Sequence, residues 1–120
     1  MNRLKYGAAA WNRWRRTNPD AVIVLDKADL SGLILTGIDF SGVSLRGARL
    51  HATNLMNADL RGADLTDANL TEADLIAANL DGAVLIGANL HETDLLGTDL
   101  SRVRYRPQDL EGALHLTRVD

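Results

Sequence analysis

Residues 58–75 read Ala58-Asp59-Leu60-Arg61-Gly62-Ala63-Asp64-Leu65-Thr66-Asp67-Ala68-Asn69-Leu70-Thr71-Glu72-Ala73-Asp74-Leu75, a five-residue unit, Ala-(Asp/Asn)-Leu-x-x, repeated without interruption. Outward from this stretch the rhythm persists. Leucine holds positions 25, 30, 35 and every fifth position from 45 to 100, and Phe40 fills the single gap, so sixteen consecutive steps each carry one large apolar side chain. Two residues before it sits a small or apolar partner, with Ala28, Ala48, Ala58, Ala63, Ala68, Ala73, Ala78, Ala83 and Ala88 as the regular cases. On an α-helix, five residues advance about 140° past a full turn, which scatters the leucines over every face. On a straight strand the side chains alternate, so an odd step sends successive leucines to opposite faces. A turn in every repeat restores them to one side. The spacing therefore predicts a coil of short extended segments, Ala and Leu pointing inward, with a corner after each Leu. Glycine at 32, 37, 42, 47, 62, 82, 87 and 97 falls two places after the large residue, where a corner with positive φ favours it.

The run over residues 58–75 resembles the pentapeptide-repeat family, and the resemblance covers about two thirds of the chain. It implies an all-β fold: a right-handed quadrilateral β-helix, four repeats and twenty residues per coil. About four coils at the usual strand spacing of ~4.8 Å make a barrel roughly 19 Å tall. The inward residues then form ladders such as Leu25, Leu45, Leu65 and Leu85, held by neighbour-to-neighbour stacking.

Such a solenoid has two ends to cover. The first coil carries Ile23, Leu33, Ile38 and Val43 where later coils carry smaller residues, a wider apolar floor. Leu4, Ala8, Trp11 and Trp14 recur at helical spacing ahead of the Asn18-Pro19 breaker, which predicts a capping helix that lays Leu4, Trp11 and Trp14 over that floor. Trp-rich leaders ending in Asn-Pro resemble those of cyanobacterial family members. At the far end the rhythm breaks at Tyr105 and Arg106-Pro107. Pro107 at a first turn, Asp109 and Glu111 near it, and Leu110, Ala113 and Leu114 on one face predict a short C-terminal helix. Two covered ends would prevent edge-to-edge pairing between molecules. The expected organisation is 1–20 helical cap, 21–105 solenoid and 106–120 cap and tail, the last residues being strand or unstructured.

Composition narrows the function. With no cysteine there is no disulfide, thiolate ligand or cysteine nucleophile. Neither a signal-peptide pattern nor a membrane-length apolar run is present, so a cytoplasmic setting is the default expectation. The net charge of −3 conceals a division: residues 25–100 hold twelve acidic and four basic side chains, against net +4 in residues 1–24 and +1 in 101–120. His51 and His91 lie two coils apart with Thr71 between them, and His115 belongs to the C-terminal segment, so no metal site is expected. Asp39, Asp59, Asn79 and Asp99 should form an acidic ladder on one face. A convex wall provides no pocket to separate two carboxylates into acid and base, and no phosphate loop or nucleophile triad occurs. Neither enzymatic activity, a cofactor nor a small-molecule substrate is expected.

The outward positions are more informative. Directly after the central residue of one face come Thr36, Met56, Ile76 and Leu96, three of them large, apolar and expected to be exposed, with Val84 and Ile86 adding to an adjoining wall. The leading expectation is a non-enzymatic protein-interaction or scaffold module, self-association included, whose alternatives for this strip are cover by a tail or harmless exposure. The family resemblance also implies a second reading, an acidic DNA mimic acting on DNA gyrase or another DNA-binding protein, since the family includes quinolone-resistance proteins whose acidic solenoids imitate DNA and engage gyrase. Arg13, Arg15 and Arg16 beside Trp11 and Trp14 are too few for a nucleic-acid site next to an acidic wall.

Overall fold

The structure, a computed structural model, describes residues 2–116. Parallel bridges join residues twenty apart along the chain: Val24 to Ser44, Asp29 to Arg49, Ile34 to Asn54, Asp39 to Asp59, and onward to Val84 with Arg104 and Asp94 with Leu114. Four pentapeptides thus complete one coil. We name the four walls by their inward residues: wall A holds Leu25, Leu45, Leu65 and Leu85; wall B Leu30, Leu50, Leu70 and Leu90; wall C Leu35, Leu55, Leu75 and Leu95; wall D Phe40, Leu60, Leu80 and Leu100. All but Leu100 are buried, most of them completely.

The corner geometry explains why a five-residue unit suffices. After each inward residue its carbonyl accepts the N–H three residues on, as in Leu55 to Ala58 at 3.0 Å, and at every corner from Lys27 to Gly97 the residue two after it takes a φ of 56° to 78°. Glycine fills many of these corners, but Ala52, Asn57, Asp67, Glu72, Ala77 and Glu92 adopt the same left-handed conformation with φ of 56° to 60°. The fold therefore dictates the angle even where the residue disfavours it. Inside, Thr53, Thr93 and Thr98 replace alanine and remain buried. Their hydroxyls donate to the carbonyls of Leu30, Leu70 and Leu75 in the coil below, at 2.9, 2.6 and 2.7 Å, so among the described residues no buried side-chain polar atom is left unpaired.

Helix α1 (Gly7–Thr17), preceded by a 3-10 turn at Asn2–Tyr6, closes part of the lower end. Leu4 and Trp11 are buried, Trp14 is partly buried, and the Trp11 ring meets Phe40 edge-on at 5.4 Å. The same helix substitutes for a missing coil along wall D. Higher on that wall, Asp59 N–H donates to the Ile38 carbonyl at 2.9 Å, while the Asp59 carbonyl accepts from Phe40. Asp39, with no coil beneath it, donates instead to Asn12 Oδ1 at 2.7 Å and accepts from Trp11 Nε1 at 2.7 Å and Arg15 Nη1 at 3.2 Å. Arg15 Nη2 then satisfies the Ser41 carbonyl at 2.9 Å. Walls A, B and C have no such substitute. Among the described residues, the N–H groups of Val24, Asp29 and Ile34 meet no acceptor, and Val24 and Ile34 are exposed. The expected full cover of this end is thus a cover of wall D and the apolar hollow, because a single eleven-residue helix reaches only one edge.

The C-terminal expectation also changes. Only Pro107–Leu110 forms a 3-10 turn. Ala113 and Leu114 do not extend it as a helix: Leu114 N–H donates to the Thr93 carbonyl and its own carbonyl accepts from Leu95, which keeps the twenty-residue register beyond Pro107. The coil departs at His115, where φ is +58°. Of the expected tail, residues 117–120 lie outside the described residues.

Candidate interaction surface

Each pentapeptide points two side chains outward, one on either side of its inward leucine. The residue before the leucine is commonly Asp or Asn, and its Oδ1 accepts the N–H two residues on: Asn54 from Met56, Asp74 from Ile76 and Asp94 from Leu96, at 3.0, 2.9 and 3.1 Å. Wall D repeats the arrangement from Asp39 to Ser41, Asp59 to Arg61, Asn79 to Asp81 and Asp99 to Ser101. These carboxylates fasten the backbone locally, the habit of Asp and Asn in turns.

The candidate acidic ladder is present in register, Asp39 bridged to Asp59 and Asp59 to Asn79, but its charge is largely answered from within. Asp59 receives the Arg61 guanidinium at 2.7 Å, which holds its carboxyl below the ordinary range. Asp39 has Arg15 at 4.0 Å. Asp99 is held low by the Ser101 N–H.

The apolar outward residues are distributed unevenly. Wall B presents Asp29, Arg49, Asn69 and Asn89 before its leucines and Ser31, His51, Thr71 and His91 after them. Wall D is similarly polar. Wall A combines Val24, Val84 and Ile86 with Asp26, Arg46, Asp64 and Arg104. Wall C alone stacks three apolar residues in one column, Met56, Ile76 and Leu96, and has Ile34 and Leu114 in its other column. Met56 and Ile76 are half-buried by their neighbours in the stack; Leu96, at its upper end, is 52% exposed, and Ile34 is exposed as well. Val84 and Ile86 are not on an adjoining wall. They lie two pentapeptides from this column in a four-pentapeptide coil, on the opposite side, and cannot share a surface with it.

Wall C is also the wall with no Lys or Arg among its described outward positions. Asp74 and Asp94 stand beside the apolar column, and Glu72 and Glu92 occupy the corner from wall B. The corner on the other side is small: Gly37, Asn57, Ala77 and Gly97. His115 Nδ1 lies 2.8 Å from Asp94 Oδ1 and holds that carboxyl below its usual range. His51 Nδ1 meets Thr71 Oγ1 at 2.7 Å, and His91 stands 3.8 Å from Glu92. No group of three or more His, Cys, Asp or Glu placed to hold a metal occurs among the described residues.

Two polar contributors to the cap, Asn12 and Arg15, carry no apolar signal and escape a reading based on hydrophobic spacing. Ile34 and Leu114 join wall C only once the twenty-residue register is carried to both ends of the barrel.

The family described as Pentapeptide repeats (8 copies) matches twice, over residues 24–62 and over residues 63–102. The chain belongs to the pentapeptide-repeat family, and its coil is accordingly the right-handed quadrilateral β-helix of that family. Among solved structures it is similar to alr5209, a pentapeptide repeat protein from Nostoc Pcc 7120, at 32% identity over 87% of this chain and 89% of that one, with a TM-score of 0.67. It is also similar to HetL from Nostoc sp. Strain PCC 7120, a protein involved in heterocyst differentiation regulation, at 37% identity with a TM-score of 0.48, covering 70% of this chain and 42% of HetL. A third is Rfr23 from the cyanobacterium Cyanothece 51142, at 38% identity over 71% of this chain and 61% of that one, with a TM-score of 0.38. No curated protein sequence matches the chain. No helix of the described residues is long and apolar enough to cross a membrane.

Proposed function

We propose that this chain is a non-enzymatic protein-interaction or scaffold module that binds a protein partner through wall C. The observation that carries the reading is the column Met56, Ile76 and Leu96, which gathers apolar outward residues on a wall without Lys or Arg. An outward apolar column, exposed at Leu96 and half-buried at Met56 and Ile76, is the kind of surface that marks an interaction site. We take 1–20 as the cap that sets the lower end, 21–105 as a rigid solenoid of about four coils that presents the wall, and 106–120 as the upper cap and tail, in a cytoplasmic protein. The test is the double variant Ile76→Asp, Leu96→Asp, checked for folding by circular dichroism and for partner capture from cells of the source organism. A folded variant that captures the same partners equally well removes wall C from consideration.

A second reading, a DNA-mimicking inhibitor of gyrase, is favoured by the net −8 of residues 25–100. The internal pairing of Asp59 with Arg61 and of Asp64 with Arg46 weakens it. A supercoiling assay separates the two: no inhibition of gyrase at high protein concentration disposes of the second.

A further inference from the structure

Resting on the reading of wall C as the interaction surface, we infer that its partner is a basic amphipathic α-helix of another protein, laid along the solenoid axis. The length, shape and charge of the wall each select this occupant.

The length comes first. Met56, Ile76 and Leu96 follow one another at single coil rises, so at ~4.8 Å per rise the column is about 10 Å long. Residues i, i+4 and i+7 of an α-helix span about 10.5 Å along one face. Three helical anchors therefore fall in step with three rungs, drifting by only about 1 Å from first to last. An extended strand repeats its same-face side chains about every 6.8 Å and loses register by the second rung. A strand would also seek unpaired backbone groups, whereas those of wall C between its ends are consumed by the coil ladder, as in Leu55 to Asp74 and Leu75 to Asp94.

The shape is permissive on one side only. The corner beyond the apolar column consists of Gly37, Asn57, Ala77 and Gly97, whose small side chains leave room for a helix about 10 Å wide. On the other side stand Asp74 and Asp94, then Glu72 and Glu92 at the corner. Within the chain, histidines face three of these carboxylates, His115 at Asp94, His51 at 3.6 Å from Glu72 and His91 beside Glu92, while Asp74 accepts the Ile76 N–H. The rim therefore presents four carboxylates, and no Lys or Arg among the described outward positions of the wall, toward any incoming chain. The complement is a helix whose apolar stripe is bordered on one side by Lys or Arg. A second copy of this chain does not supply it, because the aromatic face of its own basic helix α1 is already buried at Trp11, as is Leu4 of the turn before it.

The experiment uses the full chain and three synthetic helical peptides of equal length. One carries an i, i+4, i+7 leucine stripe flanked by Lys; the second has the same stripe flanked by Glu; the third is a scrambled sequence of the first. Binding is read by fluorescence anisotropy, and backbone NMR shifts map the contact. The account expects saturable binding of the Lys-flanked peptide, with shifts centred on Met56, Ile76 and Leu96, and weaker binding as salt rises. It further expects a loss of about tenfold or more in the variant Glu72→Gln, Asp74→Asn, Glu92→Gln, Asp94→Asn. That variant preserves the fold, since Asn54 already makes the turn bond that Asp74 and Asp94 make. Equal binding of the Lys- and Glu-flanked peptides, equal binding by the charge-neutralised variant, or no binding of the Lys-flanked peptide each overturns the inference. If native partner capture is still lost in Ile76→Asp, Leu96→Asp, the interaction wall stands while its basic helical partner falls. If capture is unchanged in that variant, both fall.

Discussion

Replacing Trp11 with alanine tests whether helix α1 is a structural part of the barrel rather than an appendage. Trp11 is 3% exposed, packs edge-on against Phe40, and donates to the Asp39 carbonyl. Truncating a buried aromatic of this size costs about 3–5 kcal/mol. The upper half of that range applies here, because the same helix holds Asn12 and Arg15 against the open edge of wall D and loses its anchor with the ring. Trp11→Phe separates the contributions. It keeps an aromatic ring against Phe40 but loses the indole N–H and part of the ring volume, while Arg15 still donates to the same carbonyl, so no acceptor is orphaned and the cost falls to about 1–2 kcal/mol. Urea unfolding followed by far-ultraviolet circular dichroism gives both numbers without relying on tryptophan emission. A cost below about 1 kcal/mol for Trp11→Ala, or equal costs for the two variants, would show that the helix rests on the barrel without sealing it.

Further outcomes follow from the corners and the C-terminal turn. Ala77→Gly relieves a φ of +58° and should raise stability by about 0.5–1 kcal/mol, the left-handed strain relieved less the added chain entropy; thermal unfolding measures it. Gly32→Ala imposes that strain in open space, whereas Gly87→Ala also drives its Cβ against the Asp67 side chain and should cost more. Asp109, fastened by the Arg106 guanidinium and backbone and by the Gly87 N–H, has a pKa lowered to about 2. Its folded pKa lies below its unfolded one, so its contribution is complete above pH of about 4 and disappears as pH falls toward about 2. The stability gap between the wild type and Asp109→Asn should be constant near neutrality and close over that acid window. A gap independent of pH would refute the ion pair.

How far the sequence discloses this molecule depends on which forces write a periodic signal. Burial does, and strongly: a leucine every fifth residue has no consistent home in a helix or flat sheet, so the coil, its corners and the inward set from Leu25 to Leu95 are legible without coordinates. Backbone satisfaction at the open ends does not. Asn12 and Arg15 complete the edge of wall D through single polar contacts that no spacing rule singles out. The proline at 107 masks the continuing register, because the 3-10 turn that follows it still delivers Leu114 onto Thr93. The apolar column on wall C is visible in the sequence once twenty residues are taken as one coil, and the same register, two pentapeptides on, carries Val84 and Ile86 to the opposite wall.

The proposed function requires wall C to differ from the other three walls. The direct measurement compares partner capture by two folded variants matched in chemistry, Ile76→Asp, Leu96→Asp on wall C and Val84→Asp, Ile86→Asp on wall A. Loss of the partner from the first and retention by the second is the expected result. Equal retention by both, or loss confined to the wall A variant, would contradict the assignment of wall C.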